Sequence, residues 1–175
     1  MTKSSTGAGL GKYSAEFTQA ILLLEKLISI PSFSREEQAT AQLLQQYLGQ
    51  HGVQANRFGN NVWARNKHFD KDLPTILLNS HHDTVKPNKG YTRPPFQPLD
   101  EDGRLYGLGS NDAGGSLVAL LWAFLHFYER CDLKYNILFA ASAEEEISGA
   151  GGISMLLPEL GKVDCAIVGE PTQME

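Results

Sequence analysis

Thr75-Ile76-Leu77-Leu78-Asn79 is a nearly unbroken apolar run that leads straight into Ser80-His81-His82-Asp83. Two later runs share the design. Residues 135–141 (YNILFAA) lead to Glu144-Glu145-Glu146, and residues 165–168 (CAIV) lead through Gly169 to Glu170. Apolar runs without polar alternation suit strands covered on both faces, as in the parallel sheet of an α/β protein. Residues 113–128 read as a helix led by small residues and then strongly apolar, and residues 149–157 as a shorter helix before the third run. The order strand, long loop, helix, strand, loop, helix, strand predicts an α/β fold: a doubly wound, mostly parallel sheet with helices on both faces. The loop over 85–107 is long for a compact domain, and loops of that length are often functional.

Upstream, residues 13–30 place Phe17, Ile21, Leu24, Leu27 and Ile28 on one stripe, with Ser14 as N-cap and Pro31 as the stop. Ser34 with Glu37 has capping-box spacing and predicts a second helix that ends near 49–52. Residues 53–58 and 61–66 are short strands around a Gly59-Asn60 turn. The chain has 175 residues, 42% of them hydrophobic and 20% charged, which suits one globular domain. Its net charge of −5 argues against a nucleic-acid footprint. The longest apolar stretch, 117–127, falls well short of the roughly 20 residues of a membrane span. Residues 1–13 read as a polar tail without the apolar segment of a signal peptide. Cys131 and Cys165 are too few for a disulfide framework and are expected as buried free thiols in a reducing cytoplasm.

Ligand sites in open α/β sheets lie outside the carboxyl ends of the strands, where these acidic and imidazole groups fall. His81 and Asp83 are two apart, so on extended backbone they face one way and His82 the other. A neutral imidazole is a good metal ligand, and a neighbouring carboxylate can fix its tautomer. Each group alone has an ordinary explanation. His-x-Asp could be a surface loop with ordinary polar residues, Asp112 a helix N-cap, the three glutamates a solvated turn and Glu170 a loop residue. The glycines of YGLGSNDAGG (106–115) match no phosphate-binding pattern. Convergence of four such groups on one sheet edge points instead to a metal site.

The set SHHDTV (80–85), YGLGSNDAGG (106–115), SAEEEISGAGG (142–152) and VGEPT (168–172) resembles the zinc-dependent metallopeptidases and deacylases. That family includes acetylornithine deacetylase, succinyl-diaminopimelate desuccinylase, carboxypeptidase G and aminoacylase. The wording of SHHDTVKP and GLGSNDAGGS is most similar to the acetylornithine deacetylase branch, which implies N-acetylornithine as substrate and a place in arginine biosynthesis. Desuccinylases and metal-dependent dipeptidases are the runners-up, and a non-catalytic relative that keeps the fold is the alternative of another class. The resemblance implies two divalent metal ions, zinc first with cobalt or manganese as substitutes. His81 and Glu170 would hold one ion, Asp112 would bridge both and Glu146 would hold the second. It further implies catalytic roles for Glu145, as general base, and for Asp83, as the support of His81. A register shifted by one would give these roles to Glu144 and Glu145. The implied partner is a small N-acyl amino acid, with no nucleic acid or membrane, and a homodimer for a full-length chain.

Three departures stand out. Gly114 occupies the position where the family commonly has a lysine, and Lys86 intervenes before Pro87. Members of the family are about twice as long. Residues 14–175 are therefore expected to be the N-terminal part of the catalytic domain, without the lid and dimerisation domain and the C-terminal part that carries a last ligand histidine. His51, His68 and His126 are not placed to replace that histidine, and the chain alone is expected to show little activity.

Overall fold

The computed structural model describes residues 14–171. Its centre is a five-stranded sheet in the order β1-β2-β6-β3-β7. The strands are β1 (Asn56–Phe58), β2 (Asn61–Arg65), β3 (Thr75–His81), β6 (Asn136–Ser142) and β7 (Cys165–Val168). β3 runs parallel to β6 and to β7, whereas β1 and β2 form an antiparallel hairpin added to the outer side of β6. The doubly wound, mostly parallel α/β sheet expected from the apolar runs is present.

Alternation along β6 explains how both faces are used. Ile137, Phe139 and Ala141 join the core formed with α1 (Ala15–Ile28), α2 (Gln38–Gln50) and α3 (Ser116–Phe127). Leu138 and Ala140 turn to the opposite face, where α4 (Ile153–Leu160) contributes Leu156 and Leu160. The connection leaving β3 thus packs on one face and the connection leaving β6 on the other. Because β3 and β6 are neighbours, their carboxyl ends open the crevice in which such folds bind ligands.

Several expectations are corrected. Ser14 does cap α1, accepting the Phe17 N–H at 3.2 Å, but Phe17 is exposed and Leu23 takes a buried place. Ser34 caps nothing: its hydroxyl donates to Asp83 Oδ2 at 2.7 Å, α2 starts at Gln38, and Glu37 makes no side-chain cap. The long loop contains a small hairpin of β4 (Leu99–Glu101) and β5 (Arg104–Tyr106). α3 begins at Ser116, because Ser110–Gly115 forms a separate irregular turn. Both cysteines are exposed, since Cys131 lies in the turn after α3 and Cys165 on an edge strand. β7 is not covered on both faces. All four of its residues are exposed among the described residues, for it pairs only with β3 and stands at the edge of the sheet. Residues 1–13, read as a polar tail, lie outside the described residues, as does Thr172. No helix among the described residues is long and apolar enough to cross a membrane.

Candidate metal centre

Each group singled out in the sequence sits at or just beyond the carboxyl end of a parallel strand, or in the turn before α3. His81 is the last residue of β3, the glutamates follow β6, Glu170 follows β7, and Asp112 lies in the Ser110–Gly115 turn. One ligand atom each from His81, Asp112 and Glu170 lies within 4.8 Å of the others. From His81 Nε2 the distances are 3.2 Å to Asp112 Oδ1, 3.5 Å to Glu170 Oε2 and 3.7 Å to Glu145 Oε2. Asp112 therefore does not act as the helix cap that its position before α3 allowed.

The His81 ring is oriented by its other nitrogen. Nδ1 lies 3.0 Å from the Asp83 carbonyl oxygen and 3.4 Å from Asp83 Oδ1. Facing a carbonyl, Nδ1 carries the hydrogen, which leaves the Nε2 lone pair toward three carboxylates. That arrangement is repulsive unless a cation or a proton lies between them. Burial alone would lower the His81 pKa, but the Asp83 hydrogen bond and the charges of Glu170, Asp83 and Glu145 outweigh it and carry it to about 9. Burial likewise opposes the Asp83 charge, yet hydrogen bonds from His81, Ser34 and the Glu145 N–H hold its carboxyl below the ordinary range. Burial raises Glu146, and the Asp112 charge adds to the effect. Glu170 is raised by burial and by Glu145 and Asp112, against a pull from His81. Among the described residues no lysine or arginine forms a salt bridge with Asp112, Glu145, Glu146 or Glu170. An imidazole and several carboxylates crowded together without a lysine or arginine salt bridge suit a divalent cation.

The three glutamates separate by role. Glu145 and Glu146 donate their backbone N–H groups to Asp83 Oδ1 and Oδ2, at 3.0 and 3.2 Å. Glu144 has left-handed backbone (φ 53°), and its carboxylate is taken up by the Gly151 N–H and the Arg35 guanidinium. His82 faces away as expected. It is buried, with Nε2 3.0 Å from the Asn60 carbonyl and Nδ1 2.9 Å from Thr40 Oγ1. Gly114 admits no side chain, since a Cβ there would meet the Gly109 carbonyl oxygen at 2.5 Å and Leu24 Cδ1 at 2.6 Å. A cavity of about 460 Å³ opens beside Glu145 and Glu170, lined also by Asn79, Ser142, Ile153 and Val168.

Two residues, the part-buried Ser34 and the buried Glu37, were not read as part of the site. Ser34 and Glu37 both contact its supports, but their spacing satisfied a local capping pattern, and nothing else in the sequence marked them.

Comparison with known proteins follows the same lines. Succinyl-diaminopimelate desuccinylase of Delftia acidovorans is 31% identical over 90% of this chain and 45% of its own length. The enzyme of that name from Wigglesworthia glossinidia brevipalpis is 36% identical over 69% of this chain and 33% of its own. The chain thus spans less than half the length of these relatives. Neither carries the acetylornithine deacetylase name that the motif wording favoured; both carry one of the runner-up names. Among solved structures, an M20 family metallo-carboxypeptidase from Sulfolobus solfataricus superposes with a TM-score of 0.69 at 26% identity, over 90% of this chain and 37% of that one. A dinuclear metal-binding M20 peptidase from Bacillus subtilis shares the fold with a TM-score of 0.68 at 21% identity, over 90% and 44%. Residues 77–175, more than half of the sequence, match the peptidase family M20/M25/M40, and the chain belongs to that family.

Proposed function

We propose that the gene product carrying this chain is a metal-dependent hydrolase that cleaves the amide bond of an N-acyl amino acid. The observation that carries this reading is the His81 ring, tied to Asp83 through Nδ1, with Nε2 facing Asp112, Glu145 and Glu170. His81, Asp112 and Glu170 would hold one divalent ion, and Asp112 with Glu146 a second. Zinc suits this donor set, and cobalt or manganese fits it too. When bound, such ions supply Lewis acidity, which polarises an amide carbonyl and acidifies water.

The remaining work falls to the chain's own groups. Glu145 accepts a proton from water and returns it to the departing amine nitrogen. Asp83 holds the His81 tautomer and, through two backbone N–H groups, the turn that carries Glu145. Because the Glu144 carboxylate is engaged by Gly151 and Arg35, the geometry favours Glu145 and Glu146 over the register shifted by one. The desuccinylase relatives put N-succinyl-diaminopimelate first among substrates; N-acetylornithine is second, on the wording of the motifs around His81 and Asp112.

The test is amine release from both compounds by the gene product, with zinc or cobalt added and with a chelator. Chelator-sensitive release from either supports the reaction class, and the faster substrate names the acyl group. Glu145→Gln is expected to keep its metal and lose about 100- to 10,000-fold in kcat. Metal binding without release from either substrate would discard the acyl amino acid reading. Parent-rate turnover by the variant would remove Glu145 as the base.

A further inference from the structure

Glu37 is fully buried, lies outside the ligand cluster and plays no part in the chemistry above. Its surroundings are unusual for a carboxylate. No lysine or arginine side chain among the described residues forms a salt bridge with it, and although it is the N-cap residue of α2 its side chain makes no capping hydrogen bond. Instead Oε1 accepts the Arg35 N–H at 2.7 Å and the Glu144 N–H at 3.1 Å, while Oε2 accepts Asn60 Nδ2 at 2.8 Å. Burying a carboxylate is costly unless hydrogen bonds replace its water, and here three donors do so. Asn60 is itself fixed from two sides, its side-chain oxygen by Arg57 Nη2 and its carbonyl by His82 Nε2.

The Glu144 contact crosses 107 positions of sequence and completes a pattern. Three consecutive N–H groups after β6, those of Glu144, Glu145 and Glu146, each donate to a buried carboxylate. Asp83 takes the last two and Glu37 the first. Glu144 is the residue whose left-handed backbone turns the chain between β6 and Glu145. A side-chain-bearing residue in that conformation is strained and persists only where its surroundings hold it.

We infer that Glu37 is a positioning residue: by holding the Glu144 N–H it fixes the reversal that delivers Glu145 and Glu146 to the His81 and Asp112 cluster. Its significance for turnover rests on the proposed function; the clamp itself does not. The inference depends on where an acceptor oxygen sits, not on the charge, and that gives the test. Glu37→Gln removes the charge but can keep an oxygen at Oε1, at the expense of the Asn60 contact. Glu37→Asp keeps the charge but is one methylene too short to reach Glu144.

Amide hydrogen exchange by mass spectrometry, on the gene product with and without cobalt, would follow a peptide covering 143–149 against one covering 136–142. In Glu37→Asp the first peptide is expected to exchange on the order of tenfold faster, with the second unchanged. Glu37→Gln should stay close to the parent in both. Cobalt held against a chelator should weaken about tenfold to a hundredfold in Glu37→Asp and much less in Glu37→Gln. Parent-like exchange over 143–149 in Glu37→Asp would overturn the inference. So would the reverse order of the two variants, or faster exchange that spreads equally into β6. A parent that binds no cobalt and hydrolyses nothing would sink the proposed function, while the exchange comparison still decides the clamp.

Discussion

Asp83 serves two structures at once. One pair of oxygens receives the Ser34 hydroxyl, the Glu145 and Glu146 N–H groups and the His81 Nδ1 contact. Asp83→Asn replaces one oxygen with a donor, so at least one of these donors meets another donor. Leaving a buried group unpaired costs about 1–3 kcal/mol, and losing an orienting partner of a ligand histidine typically costs about 10–100-fold in metal affinity. We therefore expect the variant to melt earlier and to surrender its metal to weaker chelators, as a thermal melt and a competition titration would record. Unchanged metal retention would mean that the His81 ring is fixed by its backbone contact alone. At this scale the sequence disclosed the residues with chemical identity. The two-residue spacing of His81 and Asp83 placed both on one side of an extended strand end, as the structure has them. Ser34 and Glu37 stayed hidden because a capping box explained them locally, and a contact that crosses 107 positions leaves no trace in spacing.

Among the elements, the apolar runs located β3, β6 and β7 closely; in β3 and β6 burial on both faces removes polar residues regardless of what lies beyond, whereas β7 keeps the pattern but is exposed. The start of α3 was harder to read. Small residues in DAGG look like a helical lead-in, yet Ser110–Gly115 forms a turn of its own, with Asp112 in an extended conformation at φ −112° and ψ 99°. Gly114 makes that turn possible by letting its backbone approach Gly109 and Leu24. Gly114→Ala would force a Cβ against the Gly109 carbonyl oxygen, a backbone atom that cannot swing aside. Overpacking of this kind costs about 1–3 kcal/mol. We expect a lower melting temperature together with weaker metal binding, because the displaced turn carries Asp112. A longer side chain at this position meets the same backbone contact and should be worse still. If Gly114→Ala melted as the parent does and bound metal as tightly, the turn would be more yielding than its contacts indicate.

For the whole molecule, the same reasoning that placed β7 also misjudged its surroundings. Its composition, CAIV, is that of a strand covered on both faces, yet Ile167 is 51% and Val168 58% exposed. Sequence pattern reports what a strand is built to meet, and only the assembled sheet reports what covers it. Among the described residues β7 pairs with β3 on one side and with no strand on the other. Exposed Leu157 of α4, which lines the same cavity as Ala166 and Val168, enlarges the apolar surface. An uncharged, apolar edge strand is a template for pairing with another chain, and natural edges are protected by charge, above all by lysine. We therefore expect the 175-residue chain, expressed by itself, to associate at micromolar concentration. Light scattering should show a mass above one chain that rises with concentration. Ile167→Lys places a charge on that edge without touching His81, Asp112 or Glu170, and it should lower the scattering mass toward a single chain while cobalt uptake stays unchanged. A parent that remains a single chain throughout that range would mean that the edge is protected by something other than charge. A variant that associates as strongly as the parent would move the contact away from β7.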